Sequence, residues 1–144
     1  MGQIAHGFKS EMSMALYNSY LRILESGECA SQAEAVNLAR KSEAPHFFSS
    51  AKSCMEIISK MLKRQPTGLR APEKIKKYQM IFKRLAIYIY ENPEKASTMS
   101  LFQLCETVIS QPAPEYYVCF NTAKQVILKE RARRREEAAR RWVR

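Results

Sequence analysis

The chain has 144 residues, 46% of them hydrophobic, with only four glycines and six prolines. That is material for one ordinary domain or two very small ones, and it argues against disorder and for helices joined by short loops. Twenty-four Lys and Arg against 14 Asp and Glu give a net charge of +10 and an isoelectric point near 9.6. A basic field of this size attracts polyanions, nucleic acid above all. The only histidines are His6 and His46, and no carboxylate pair, glycine-rich phosphate loop or Cys/His set stands at a chemical spacing. An enzyme is therefore not expected, nor is a metal or a cofactor.

The N-terminus "MGQIAHGFKS" lacks the apolar segment of a signal peptide and has His6 where a myristoylation pattern wants Ser or Thr. No apolar run approaches the roughly 20 residues that cross a bilayer. The expectation is a soluble chain of the reducing cytoplasm, with no membrane partner and with association with a virion compatible. A first helix is marked by Phe8, Met12, Leu16, Tyr20 and Leu24, recurring every four residues and backed by Tyr17 and Leu21, and Gly27 ends it. "SQAE" then starts a second helix as a capping box, Ser31 with Glu34. In "EAPHFFSS", Glu43 to Ser50, Pro45 stops that helix and Phe47 and Phe48 follow at once. A third helix opens on Ser50 as N-cap and buries Cys54, Ile57, Ile58 and Met61, spaced i, i+3, i+4, i+7.

"KRQPTGLRAP", Lys63 to Pro72, reads as a connector. Pro72 and Glu73 suit the first turn of a fourth helix, with Tyr78, Ile81, Phe82, Leu85, Ile89 and Tyr90 as its buried face and Asn92-Pro93 as its stop. "SLFQ", Ser100 to Gln103, is a second capping box, and "PAPEYYVC", Pro112 to Cys119, repeats the proline-aromatic phrase with Pro114, Tyr116 and Tyr117. Ala123, Val126 and Ile127 then form an apolar stripe that Glu130 interrupts. Cys119 is a poor cap, so Asn121 is expected to start that helix. The run "KERARRREEAARRWVR" should extend it, helped by Glu136 to Arg140 and Glu137 to Arg141 at four-residue spacing. Trp142, near its end, lacks an apolar stripe.

The two proline phrases, the two capping boxes and the pair Leu16 and Leu85 each stand 69 residues apart. The expected fold is therefore all-α: two pseudo-repeated three-helix, helix-turn-helix-like units plus a basic C-terminal helical extension. Their expected limits are 8–64 and 72–130, with a connector at 65–71 and the tail at 131–144. In each unit the proline turn should hold the last helix at a steep angle. One ring of each aromatic pair should face the core, because neighbours in extended backbone point opposite ways.

In DNA-binding helix-turn-helix proteins the last helix lies in the major groove. The exposed N-terminal faces of the two candidate readers carry Ser49, Lys52, Ser53 and Glu56, and Asn121, Thr122, Lys124 and Gln125. These are short polar, amide and cationic side chains suited to base edges. Phosphate contacts are expected from Lys60, Lys63 and Arg64, and from Lys129, Arg131, Arg133, Arg134 and Arg135. Cys54 and Cys105 fall where helix stripes want small buried side chains, and reduced core cysteine is the expected state.

"QPAPEYYVCFNTAKQVI", Gln111 to Ile127, and more weakly "EAPHFFSSAKSCMEII", resemble a phrase of small basic helical proteins of gut Bacteroidales and their phages and mobile elements. The chain departs from it at Cys119, where that set tends to place Ser, and in lacking the proline before Ala44. The resemblance implies a layout and brings no activity with it. The expected function is DNA binding by tandem helix-turn-helix units, in a regulator or a DNA-recognition component of a phage or mobile element. The alternative is a protein-interaction or virion structural module whose basic tail binds an acidic partner.

Overall fold

The computed structural model of the chain describes residues 2–142, with side chains from Ser10 onward, so Phe8 lies outside the described side chains. Among the described residues the fold is all-α, with seven helices and no strand. They are α1 (Gly2–Ser26), α2 (Gln32–Arg40), α3 (Ala51–Leu62), α4 (Pro72–Glu91), α5 (Pro93–Ser97), α6 (Leu101–Ile109) and α7 (Phe120–Trp142). No helix is long and apolar enough to cross a membrane among the described residues.

Local chemistry sets most boundaries. Gly27 takes a left-handed φ of 69° just past α1, a conformation that costs glycine nothing. Ser31 and Ser50 accept the amides of Glu34 and Ser53, capping α2 and α3. The box at α6 is complete, since Gln103 also takes the Ser100 amide at 2.9 Å. At α2 it is shifted by one residue: the Glu34 carboxylate takes the amide of Ala30, not that of Ser31. Pro93 does more than stop α4, for it occupies the first turn of the short α5. α7 starts earlier than expected. The Cys119 carbonyl accepts from Ala123 N–H at 3.0 Å, so Cys119 is the cap and Asn121 already lies inside the helix.

The chain divides into two compact units. One contains Met1–Ala44 and Pro114–Arg144; the other is Pro45–Ala113. Both boundaries fall between the alanine and the proline of an Ala-Pro phrase. The sequence-based limits ran along the chain, whereas the units combine helices from both halves. In the first unit α7 packs on α1 and α2, and in the second α3 packs on α6 and α4. The phrase therefore carries the chain from one unit into the other.

Two backbone hydrogen bonds fix the arrivals. Phe47 N–H donates to Ile109 C=O at 3.0 Å in the second unit, and Tyr116 N–H donates to Arg40 C=O at 3.0 Å in the first. Each amide thus meets a residue at the C-terminal end of a capped helix. In the first unit Leu16, Tyr20, Ala35, Ala39, Ala123 and Ile127 are buried; in the second Cys54, Ile58, Ile81, Leu85, Cys105 and Val108 are. The Tyr116 hydroxyl meets Ser19 Oγ at 2.9 Å, and burial raises its pKa.

Three expectations about packing need correction. Phe47 is buried and Phe48 only half-buried against the His46 ring at 4.4 Å, as alternation requires, yet Tyr116 and Tyr117 are both buried. Tyr117 has φ 56°, and this left-handed residue breaks the alternation. Ile89 and Tyr90 are exposed, not part of the α4 core; Tyr90 is five residues beyond Leu85 and so points well away from it. Ser49 is buried, its hydroxyl 2.8 Å from that of Tyr78, and so is absent from any exposed face.

Replacing Phe47 with alanine should lower stability by about 3–5 kcal/mol, as for other fully buried phenylalanines. Phe48→Ala should cost clearly less. Urea unfolding of the two variants checks this, and equal losses would contradict the packing described.

Candidate nucleic-acid interface

Of the first group of expected base-reading residues, Lys52, Ser53 and Glu56 are exposed on α3, in the second unit. Asn121, Thr122, Lys124 and Gln125 are exposed on the first two turns of α7, in the first unit. Thr122 is occupied locally, its hydroxyl 3.2 Å from Cys119 Sγ, a contact that holds the exposed thiol below its usual pKa. The two groups belong to different compact units.

The arginines of α7 separate into two classes, and Glu130 is the cause. Its position follows Ala123 and Ile127 at helical spacing, so the carboxylate is carried into the core edge and is only 5% exposed. A buried carboxylate requires partners, and two arginines supply them. Arg133 Nη2 donates to Glu130 Oε1 at 2.6 Å and Arg134 Nε to the same oxygen at 3.1 Å. Arg133, then Arg134, holds the carboxyl below the usual carboxylate range despite burial. Arg134 also lies over the Tyr17 ring at 4.6 Å and donates to Asn18 Oδ1 at 3.0 Å, fastening the extended part of α7 to α1. Arg140 and Arg141 pair with Glu136 and Glu137, at 2.8 and 3.3 Å, as the four-residue spacing foretold.

Lys124, Lys129, Arg131 and Arg135 have no ion pair among the described residues. Lys124, Arg131 and Arg135 are spaced by seven and four, so they share one face of α7. Leu128 and Trp142 continue that face at the same period, 40% and 89% exposed. The face therefore carries unpaired cations interleaved with apolar side chains. Leu128 and Trp142 were missing from the sequence-based site, although the 3.6-residue period that places them is present in the sequence.

In the second unit Lys60, Lys63 and Arg64 are exposed and free of ion pairs among the described residues. They cluster where α3 ends, with Arg64 at φ 56° and Gln65 N–H donating to Lys60 C=O at 2.8 Å. Cations there also complement the negative end of the helix dipole, which accounts for them without a ligand. Lys77 and Arg84 serve the fold. Lys77 Nζ donates to Phe48 C=O at 3.1 Å, and burial, then neighbouring Lys74, pushes its pKa down to about 8. Arg84 lies 6.0 Å from the Phe47 ring centre. No group of three or more metal-ligating side chains occurs among the described residues.

The depressed Glu130 pKa fixes the sign of a pH effect. Ionised Glu130 contributes stability above the unfolded-state value, about 4.3, and that contribution is lost as pH falls through the lower folded-state value. Glu130→Gln should thus unfold at lower urea than the parent near neutral pH, with the gap closing as pH falls through the lowered folded-state value. A gap independent of pH would contradict the role given to the carboxylate charge. The chain matches no known family model, no curated protein and no solved structure.

Proposed function

We propose that this protein binds duplex DNA, with phosphate contacts from the unpaired face of α7 and base-edge contacts from its first turns. The observation that carries this reading is the sorting of charge along one helix: Lys124 and Arg135, both exposed, and the half-buried Arg131 lie unpaired on one face, with Arg133 and Arg134 engaged by Glu130. Asn121, Lys124 and Gln125 are suited to base edges. The net charge of +10 supplies the long-range attraction. In this reading Arg133 and Arg134 are structural, and α3, with Lys52, Ser53, Glu56, Lys60, Lys63 and Arg64, is an additional surface.

The proposal includes the duplication. Support comes from the two docking bonds, Phe47 to Ile109 and Tyr116 to Arg40: the donors Phe47 and Tyr116 stand 69 residues apart, and so do the acceptors Arg40 and Ile109. The N-caps Ser31 and Ser100 keep the same offset. On this view each three-helix unit, helix-turn-helix-like in its parts, takes its last helix from the other copy. We place this DNA binding in a regulator or in a DNA-recognition component of a phage or mobile element; the resemblance of the Ala-Pro phrases supports the layout alone.

A second reading, a protein-interaction or virion structural module, is favoured by Ile87, Ile89 and Tyr90 on α4, with Tyr90 86% exposed. Fluorescence anisotropy on mixed-sequence duplex over a salt series separates the two. DNA binding predicts that converting Lys124, Arg131 and Arg135 to Gln lowers the slope of log affinity against log salt by about 2–3. Asn121→Ala should change sequence preference and leave that slope intact. Absence of binding at low salt would overturn the DNA reading and leave the interaction module.

A further inference from the structure

α4 buries Tyr78, Ile81 and Leu85 and turns its other side outward. That side exposes Lys83, Ala86, Ile87, Tyr90 and Glu91, with Ile87 at 42%. Lys83 and Glu91 have no ion pair among the described residues. Glu91 is also the last residue of α4, whose final turn holds no basic side chain. Its carboxylate therefore sits at the negative end of the helix dipole, where a cation is favoured.

The matching stretch of the first unit is covered. Under the duplication reading Ala86 and Ile87 correspond to Tyr17 and Asn18, and Arg134 lies over the Tyr17 ring and donates to Asn18. That arginine comes from the extension of α7, which has 23 residues where α3 has 12. α3 ends at Leu62, and Ala86 and Ile87 stay exposed.

We propose that a second copy of this chain covers this face, α4 packing antiparallel on α4 about a twofold axis at Ile87. The order of the charges selects that partner. Lys83 lies four residues before Ile87 and Glu91 four residues after it. A symmetric antiparallel crossing therefore sets Lys83 of each copy opposite Glu91 of the partner subunit, twice per dimer. Each lysine also arrives at a helix C-terminus, where the dipole adds to the attraction. Ile87 meets its own copy on the axis and Tyr90 flanks it. Ala86 lets the axes approach to the usual separation of about 8–10 Å. A parallel, in-register pairing would instead oppose lysine to lysine and glutamate to glutamate. The patch is small and the net charge of +10 opposes association, so the dimer is weak and concentration-dependent. The inference needs neither the duplication nor the DNA reading.

The test is sedimentation of the full-length chain without DNA, from micromolar to near-millimolar protein. At about 0.15 M salt the Debye length is about 8 Å, so the overall repulsion is screened more than the close pairs. A monomer–dimer equilibrium is expected. Lys83→Glu and Glu91→Lys, made singly, each oppose like charges twice, and each should weaken the dimer about tenfold or more. Combining them on one chain brings opposite charges back together and should recover the dimer. Mixing the two single variants does the same and should give a heterodimer of near-parental affinity. Both positions are exposed, so circular dichroism should show unchanged helicity in every variant. A parent chain that stays monomeric throughout overturns the proposal and leaves the α4 face to a different protein. A dimer that ignores the single changes overturns it equally, as do losses that the double change or the mixture fails to recover.

Discussion

Two backbone hydrogen bonds constrain everything else in this fold: Phe47 N–H to Ile109 C=O, and Tyr116 N–H to Arg40 C=O. Each ties the residue that follows a proline phrase to the end of a helix far away in the sequence. Buried beside each is an aromatic ring, Phe47 or Tyr116, worth roughly 1.5–3 kcal/mol of apolar burial. A short helix such as α2 or α6 has too little apolar surface to stand alone. The arriving helix supplies the missing surface, Ala123 and Ile127 in one unit and Cys54 and Ile58 in the other. The first unit therefore closes only when both ends of the chain are present, a high-contact-order arrangement expected to fold slowly.

The same packing decides which charges remain available. α7 must turn Ala123 and Ile127 inward, and the helical period then carries Glu130 to the core edge. Desolvating that carboxylate requires Arg133 and Arg134, so part of a strongly basic run is consumed internally. What is left for a partner is a narrower face of unpaired cations along one helix. The proposed DNA contact rests on that residue, not on the overall charge of the chain.

Much of this was legible in the sequence because it is local. Ser31, Ser50 and Ser100 as caps, Gly27 as a stop, and the inward positions of Leu16, Ile58 and Leu85 all follow from neighbours within one or two helical turns. Helix partners were not legible. Periodicity says which face of a helix is apolar and is silent about which other helix covers it, so α3 was assigned to α2 when it packs on α6. The candidate site failed in the same way. Ser49 reads from the sequence as part of an exposed reader face, but it is buried with its hydroxyl against that of Tyr78. Arg133 and Arg134 read from the sequence as free cations, but the buried Glu130 pairs with both. The left-handed Tyr117 could not be foreseen either, since a non-glycine φ of 56° is a product of surrounding packing.

The central claim is that each proline phrase delivers its following helix to a helix pair from the other half of the chain. Nuclear Overhauser contacts in the full-length protein test it most directly. The account predicts contacts from the Phe47 amide proton to Ile109, and from the Tyr116 amide and ring to Arg40 and Ser19 respectively. Contacts instead from Phe47 to α2 at Val36 or Ala39, and from Tyr116 to α6 at Cys105 or Val108, would contradict it.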